Sequence, residues 1–334
     1  PKFAIISHAQ LLESHFAING LLENDTLMNY ENLFWINGIC TMVHSAINQQ
    51  TTVFTKHLFS PERFIEHVKK FKIAQVMLIP VYIQELSQHL KKEPADLSTI
   101  KLIETCAWFI SEQTVRIMEN FLPNGRVMPM YGLSEVAGSV SRNDLTGSPS
   151  SVGKLAANTE VKILMEGGKL GGIGEQGEIL VRRNFNFINY LDDPEKTKEL
   201  IDDDLWTHTG DIGYFDHDLN LFVSGRKKFI IRNSNHQVNP FEIEEVIGSI
   251  PGVKAVCVCS LNDPLAYQVP GALLVKESGS SLTEDEVKKA VEHLEEFKQL
   301  KGGVVFLEKI PSTHLGKIDR FSAQKLFLTL RGIS

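Results

Sequence analysis

Alternating helical and strand patterns in the first half of the chain restrict its fold more than any other feature. Residues 61–71 carry apolar side chains at positions 64, 65, 68 and 71, which places them on one face of a helix. A strand pattern follows at 74–83, a helical pattern at 83–90, another strand at 101–105 and another helix at 112–121. Strands that alternate with helices in this way favour βαβ units and a largely parallel sheet.

The pattern changes after residue 150. Short strand patterns, separated by turns that contain glycine, occupy residues 160–165, 178–182 and 219–223. Short strands bounded by such turns are typical of antiparallel sheets. The middle of the chain is therefore predicted to form an antiparallel β subdomain.

A last unit of about a hundred residues, a common domain size, begins near Gly225. It contains a helical pattern over residues 282–297, where Thr283 and Glu286 have the spacing of a capping box. Glycine at position 225 permits unusual backbone angles and suits a hinge. The predicted class is α/β, with a partial large domain at 1–224 (an α/β region at 1–150 and a β subdomain at 151–224), a hinge at 225–228 and a small mobile α+β domain at 229–334.

Composition excludes several function classes. The 334 residues are 43% hydrophobic and 22% charged, as in ordinary globular proteins. A formal net charge of −7, without a dense Lys/Arg stripe, argues against a nucleic-acid partner. The longest apolar stretch, residues 76–83, is too short to span a bilayer, so no transmembrane segment is predicted. Four cysteines without C-x-x-C spacing indicate a reduced, intracellular protein. Cys257 and Cys259 are two positions apart in an apolar run, which predicts that they share one face of a strand.

Four short segments combine a glycine with ionisable or hydroxyl side chains. Such a combination lets the backbone approach a phosphate or a ribose closely. Singly, each has an ordinary structural interpretation as a helix start, a turn, a linker or a surface loop. The segments are Tyr131-Gly-Leu-Ser-Glu135, Thr207-His-Thr-Gly-Asp211, Gly225-Arg-Lys-Lys-Phe-Ile-Ile-Arg232 and Leu315-Gly-Lys-Ile-Asp-Arg320.

The residue types in the first two segments suit nucleotide chemistry. The ring of Tyr131 can stack on a base, and the hydroxyl of Ser134 can hydrogen-bond a phosphate. The carboxylate of Glu135 can hold Mg²⁺. Asp211, on a turn next to a glycine, can accept hydrogen bonds from ribose hydroxyls.

The last two segments supply basic side chains. Arg226 can bond a phosphate or a ribose, although solvated linker residues are an equally ordinary interpretation. Lys317, next to a glycine, can enter a closed site as a point charge on a developing negative oxygen. Only the presence of the other three segments favours this role over that of a surface lysine.

Together and in this order, the four segments resemble the adenylate-forming superfamily of acyl-CoA synthetases, nonribosomal-peptide adenylation domains and beetle luciferases. Residues 237–244 and 301–306 make the chain most similar to the luciferase-like and coumarate-CoA-ligase-like branch. The resemblance implies an AMP-forming carboxylic acid–CoA ligase that uses ATP, Mg²⁺ and CoA. Its small-molecule acid would be apolar, either fatty or aromatic, with a place in fatty acid metabolism. We expect a cytoplasmic or peroxisomal location, although the C-terminus is not of the Ser-Lys-Leu type.

The resemblance also assigns roles to individual residues. Lys317 would be the catalytic lysine, which a rotation of the small domain brings to the adenylation transition state. Lys2 matches the lysine that ends the family's phosphate loop, so we expect that loop to precede Pro1 and the chain to be truncated at its N-terminus. The other implied ligand contacts are adenine for Tyr131 and Gly132, phosphate for Ser134, Mg²⁺ for Glu135, ribose for Asp211 and the ribose–phosphate region for Arg226.

Departures from the family pattern leave two alternatives open. Residues 105–110, which include Trp108, replace a Gly-Gly-Ala-Pro-Leu-like turn against which adenine packs. Residues 34–37 lack the histidine that many relatives have beside the acyl pocket, and residues 232–236 lack a glycine near CoA. One alternative is a degenerate, non-catalytic paralogue that binds a ligand or partner. The other is a luciferase-type monooxygenase. The acid and the oligomeric state stay open.

Overall fold

A computed structural model describes residues 3–17, 25–30, 33, 35–106, 110–145, 147–313 and 318–333. The backbone divides into two compact units, Pro1–Val223 and Ser224–Ser334. Both units mix helices and sheets, which confirms the predicted α/β class. Among the described residues, no helix has the length and apolar character needed to cross a membrane.

The first unit contains the predicted parallel sheet. Its strand order is β3-β2-β4-β5-β6-β7-β8; the pairs from β3 to β6 are parallel, and β7 and β8 join antiparallel. The strands of this sheet are β2 (Leu27–Asn29), β3 (Thr52–Phe54), β4 (Gln75–Met77), β5 (Leu102–Thr105), β6 (Arg126–Leu133), β7 (Gly138–Arg142) and β8 (Lys154–Leu155), and β1 (Ala4–Ile5) precedes them outside the sheet. The helices are α1 (His8–Ala17), α2 (Ile36–Ile47), α3 (Pro61–Phe71), α4 (Pro80–Lys92) and α5 (Glu112–Glu119).

Local signals explain where these helices begin. The hydroxyl of Ser60 accepts a hydrogen bond from the Arg63 amide and caps α3, whose first residue is Pro61. The strand predicted over residues 74–83 is too long: β4 ends at Met77, and Pro80 is the first residue of α4, which has no side-chain cap. Apolar faces of these helices pack on the sheet around fully buried side chains such as Phe64 and Ile103.

A second sheet in the first unit corresponds to the predicted β subdomain. Its order is β13-β12-β10-β9, and β10 pairs antiparallel with both β9 and β12. Outside that sheet, β11 pairs antiparallel with β1, and Tyr190 lies opposite Ala4. The elements are β9 (Thr159–Leu164), β10 (Gly177–Arg183), β11 (Asn189–Tyr190), α6 (Pro194–Leu200), β12 (Thr207–Phe215) and β13 (Leu221–Arg226).

The second unit is a five-stranded sheet with helices on both faces. Cys257 and Cys259 face α9, as their spacing predicts, whereas Val258 faces the core beside α7 and α8. Its elements are β14 (Ile231–Asn233), β15 (His236–Val238), α7 (Pro240–Gly248), β16 (Val253–Asp263), β17 (Tyr267–Lys276), α8 (Glu284–Ala290), β18 (Val304–Leu307) and α9 (Arg320–Leu330).

The helix predicted over residues 282–297 is much shorter in the structure. The capping box of Thr283 and Glu286 starts α8, but the helix ends at Ala290. Beyond it, the ring of Phe297 stacks on His236 with centroids 4.0 Å apart. Tertiary packing of this kind outweighs a helical pattern, because intrinsic helix propensities are small.

Candidate nucleotide site

The end of strand β6 carries the first glycine segment. Tyr131 is buried there, and the exposed Ser134 opens a short 3-10 turn that contains Glu135. A Cβ atom on Gly132 would lie 2.4 Å from the carbonyl oxygen of Gly138. Only glycine therefore allows β6 and β7 to approach each other at this point. In open α/β sheets, ligands bind beyond the carboxyl ends of parallel strands, and β6 ends at this edge.

A buried hydrogen bond joins the first segment to the second. The hydroxyl of Tyr131 donates to Oδ2 of Asp211 over 2.8 Å, although the two residues are 80 positions apart. Asp211 is 4% exposed, and its amide donates to Oγ1 of Thr209. Side chain and backbone are thus both held, which orients the carboxylate before any ligand arrives.

Strand β10 supports an irregular stretch of β12 that precedes Asp211, which lies within this strand and not on the predicted turn. Gly210 adopts a φ of 68°, a left-handed conformation that favours glycine. Its amide donates to Oε1 of Glu178, and the same oxygen lies 3.7 Å from Nδ1 of His208. Glu178 was not predicted as a site residue, because nothing in its local sequence indicates that it lies beside this stretch of β12.

Tyr190 contacts the predicted metal ligand. Its hydroxyl donates a short hydrogen bond to Oε1 of Glu135, and its ring packs edge-on against Phe187. Burial, followed by the hydrogen bond to Glu135, raises the pKa of Tyr190, so that the hydroxyl stays protonated and donates. One carboxylate oxygen of Glu135 is thereby oriented. Tyr190 carries no motif signal, and sequence reasoning missed it.

Glu135 fits Mg²⁺ only as a partner of phosphates. Within the portion of the chain that the structure describes, no three His, Cys, Asp or Glu side chains are grouped to hold a metal ion. Mg²⁺ is often bound by one or two carboxylates together with substrate phosphates. A single carboxylate is therefore compatible with a metal that arrives with a nucleotide.

Buried and half-buried polar side chains of α1, α2 and the first sheet contact one another. Nη2 of Arg142 donates to Oε1 of Glu104 over 3.1 Å, and Oε2 of Glu104 accepts from Gln75. The Nδ1 atoms of His15 and His44 lie 3.0 Å apart. Burial, with the nearby His15 and Arg142, lowers the pKa of His44 to about 4. This region of the unit is consequently more polar than the sequence suggested.

The residues expected around the acyl and adenine pockets are placed only in part. Nδ2 of Asn37 donates to Sγ of Cys106 over 2.9 Å, so the start of α2 contacts the end of β5. The apolar run over residues 76–83 contributes mainly to the core, since Val76 and Leu78 are almost completely buried. Residues 34, 108, 2 and 317 lie outside the described residues.

The predicted hinge belongs to the second unit. Arg226 is exposed at the end of β13. A Cβ atom on Gly225 would lie 2.6 Å from Oδ1 of Asn239, the residue that caps α7 and donates to the carbonyl oxygen of Ser224. Close packing therefore explains the glycine at this position, and its role as a hinge stays a prediction.

Oriented polar side chains at the carboxyl ends of the strands of an open α/β sheet are typical of a ligand-binding site. Residues 1–191 match the family model for "AMP-binding enzyme", and residues 242–317 match that for "AMP-binding enzyme C-terminal domain". The chain belongs to the AMP-binding enzyme family, that is, to the adenylate-forming superfamily that its motifs resemble.

Two curated relatives illustrate the similarity in sequence. The chain is 28% identical to 4-coumarate-CoA ligase 1 of Narcissus pseudonarcissus over 96% of its own length and 61% of the relative's. It is 31% identical to a luciferin 4-monooxygenase of Nipponoluciola cruciata over 78% of its own length and 48% of the relative's. The chain thus spans about three fifths or less of these relatives.

Solved structures share the fold. ATP-bound MatB from Rhodopseudomonas palustris superimposes with a TM-score of 0.88 at 22% identity, covering 98% of this chain and 65% of that one. O-succinylbenzoate coenzyme A synthetase from Bacillus subtilis, in complex with AMP, gives 0.83 at 21% identity, with 96% and 66% covered.

Proposed function

We propose that this protein is an AMP-forming carboxylic acid–CoA ligase. In the first half-reaction, a carboxylate oxygen of the acid attacks the α-phosphorus of ATP. The bond to the bridging oxygen breaks, and pyrophosphate leaves. In the second, the sulfur of CoA attacks the acyl carbon, the thiol loses its proton and AMP leaves.

The observation that carries this proposal is the hydrogen bond between Tyr131 and Asp211. It brings two segments of the family pattern into contact at the edge where a parallel sheet binds ligands. In the proposed complex, adenine lies against Tyr131 and Gly132, and the ribose hydroxyls donate to Asp211. Ser134 contacts a phosphate.

Charged residues account for the chemistry of the first half-reaction. Lys317 places its ammonium group on the charge that develops around the α-phosphate. Lys2 contacts the departing pyrophosphate, and Arg226 the ribose–phosphate region. When bound, Mg²⁺ would neutralise phosphate charge, and Glu135 would hold it. Positioning and charge neutralisation dominate catalysis in phosphoryl transfer generally.

We further propose that the small domain, residues 229–334, rotates about residues 225–228 between the two half-reactions. Its first orientation would deliver Lys317, and its second would admit CoA. A mobile lid is a common way to complete a catalytic site for only one step.

The proposed substrate is an apolar acid, aromatic or fatty, of the luciferase-like branch. The names of the 4-coumarate–CoA ligase relatives support an aromatic acid. All four cysteines lie among the described residues as thiols, which supports a reducing location such as the cytoplasm or the peroxisome.

Release of pyrophosphate tests the proposal. The protein, in its complete natural polypeptide, is incubated with ATP and a panel of cinnamic, benzoic and fatty acids, with and without CoA. We expect release with at least one aromatic or fatty acid, and a CoA thioester of the same acid. Nucleotide binding without release for any acid would contradict ligase activity and favour the non-catalytic paralogue.

A further inference from the structure

A buried ion pair in the second unit joins two residues that have no assigned role. Arg320 is the first residue of α9, and its Nη2 donates to Oε2 of Glu244 on α7. Their side chains are only 4% and 10% exposed. Burying two charges costs desolvation energy that their attraction often fails to repay, so such a pair is weak evidence for stability. We therefore ask which neighbouring groups the ion pair orients.

The pair is held by directional contacts with the middle of strand β16. Nη1 of Arg320 donates to the carbonyl oxygen of Val258 over 3.3 Å. The backbone amide of Val258 in turn donates to Oε1 of Glu244 over 2.6 Å. The guanidinium lies 4.1 Å from the ring centroid of Phe241 and 5.4 Å from that of Phe229. Arg320 is consequently fixed from several directions, which a planar, five-donor group allows and an ammonium group does not.

Backbone contacts join the two ends of segment 312–318, which lies just before Arg320. An antiparallel bridge pairs Ser312 with Ile318, and the amide of Asp319 donates to the carbonyl oxygen of Pro311 over 2.9 Å. Asp319 also caps α9 by accepting from the Ser322 amide. The two ends of segment 312–318 are therefore adjacent, and Arg320 attaches that junction to the core of the unit. In sequence, Lys317 precedes Arg320 by three residues.

We propose that the ion pair between Arg320 and Glu244 positions Lys317 for adenylation. Both are positioning residues: they fix the base of segment 312–318 and act through the lysine. This inference rests on the proposed function of Lys317. A displacement of about 1 Å at a reacting group can lower a rate by about a hundredfold, so a rigid base has catalytic value.

The same helix provides a matched control. Glu242 lies two residues before Glu244 on α7 and pairs with Nζ of Lys298 over 2.8 Å. Its side chain is 38% exposed, and its ion-pair partner is Lys298 rather than Arg320. Glu242→Gln thus removes an ion pair from α7 without touching the base of segment 312–318.

The first measurement separates the two half-reactions in the complete natural polypeptide. Glu244→Gln and Arg320→Met should lower kcat for pyrophosphate release about 10- to 100-fold, with KM for ATP within about twofold. Thioester formation from a supplied acyl-adenylate involves no departure of pyrophosphate and should change by less than about twofold. Glu242→Gln should leave all three quantities near the parent values. Equal losses in both half-reactions would overturn the positioning role.

Paired substitutions distinguish positioning from stability. Arg320→Met combined with Glu244→Leu removes both charges, an exchange that often costs no stability. We expect Tm to return towards the parent value while pyrophosphate release stays low, because apolar packing is not directional. Arg320→Lys should recover only part of the rate, since it keeps the charge and loses the planar fork. Full recovery of rate together with Tm in the double variant would show a merely structural pair.

Hydrogen exchange tests the anchor independently of turnover. The Asp319 amide should exchange faster in Arg320→Met than in the parent, whereas Glu242→Gln should leave it unchanged. Unchanged exchange at Asp319 would overturn the proposed anchor even in an inactive protein. A parent that releases no pyrophosphate with any acid would instead refute the proposed ligase function, and faster exchange would still establish the anchor.

Discussion

The two units hold their candidate site residues in different ways. In the first unit, residues of the motifs and their neighbours contact one another directly, as Tyr131 does Asp211 and Tyr190 does Glu135. In the second unit, the proposed support of Lys317 is indirect: Arg320 and Glu244 hold the base of segment 312–318, which contains the lysine in sequence. Residues of one preformed site can orient each other through direct contacts. A residue that is proposed to enter a site from another unit needs support within its own unit.

This difference predicts two kinds of kinetic effect. Substitutions in the first unit remove groups that we propose contact bound nucleotide, so they should change its affinity. Substitutions in the second unit remove or misplace a charge that we propose acts only at the transition state, so they should change the rate. Each of the following measurements either sharpens this contrast or removes it.

The largest effect is expected for Lys317→Ala. Loss of a group that stabilises developing charge typically lowers kcat about 10²- to 10³-fold. ATP affinity should stay within about twofold, because the proposed contacts with adenine and ribose remain. Pyrophosphate release and equilibrium binding of ATP provide the two measurements. The exposed Lys309 offers a control in the same unit, and similar adenylation rates in Lys317→Ala and the parent would remove the lysine from its role.

Acid should weaken the first unit more than the second. His44 is kept neutral in the fold by burial, with His15 and Arg142 nearby, and its pKa falls to about 4. In the unfolded chain, the same histidine binds a proton at about pH 6.5. Stability from this group is therefore complete above pH 6.5 and is lost as the pH falls towards 4, by up to about 3 kcal/mol.

The second unit should respond differently because burial raises the pKa of Glu244, against the attraction of Arg320. A raised carboxyl pKa means that protonation favours the folded state, so acid removes no stability through Glu244. Calorimetry at pH 7 and pH 4.5 should show the two unfolding transitions moving apart. In His44→Gln the first transition should depend less on pH, and an unchanged acid dependence would contradict this account.

Asp211→Asn should weaken nucleotide binding. Hydrogen bonds to a charged group contribute about 1.5–3 kcal/mol, which corresponds to a loss of affinity of about 10- to 100-fold. Titration with AMP measures the effect, and the exposed Asp203 provides a matched Asp→Asn control in the same subdomain. A reduced kcat with unchanged AMP affinity would break the contrast between the units.

The smallest effect is expected for Tyr131→Phe. The ring that would lie against adenine remains, while the hydrogen bond that orients Asp211 is lost. Because this hydroxyl acts on the ligand only through Asp211, the loss should be smaller than in Asp211→Asn, about 1 kcal/mol or roughly fivefold in AMP affinity. Binding as weak as in Asp211→Asn would mean that the hydroxyl contacts the ligand itself.

Sequence reasoning succeeded where the signal is local. The alternating patterns predicted the parallel sheet, and the spacing of Cys257 and Cys259 predicted their common face. It failed where distant residues decide. The helix that was expected to reach Phe297 ends at Ala290, and Phe297 instead stacks on His236.

The candidate site divides in the same way. Tyr131, Asp211 and Glu135 were identified from their motifs, but Tyr190, Glu178 and Glu244 were not, since no nearby residue marks them. Their roles depend on partners that are 32 to 76 positions away. No spacing rule connects residues at such distances.

By itself, the sequence determined the family, the alternation of elements and the residue types available for nucleotide chemistry. Hydrophobic periodicity and glycine positions carry that information, because they act within a few residues. Only the tertiary structure decided that Tyr131 orients Asp211 and that Arg320 is fixed to Glu244. Hydrogen bonds need atoms within about 3 Å and a suitable angle, and folding alone brings such distant residues together.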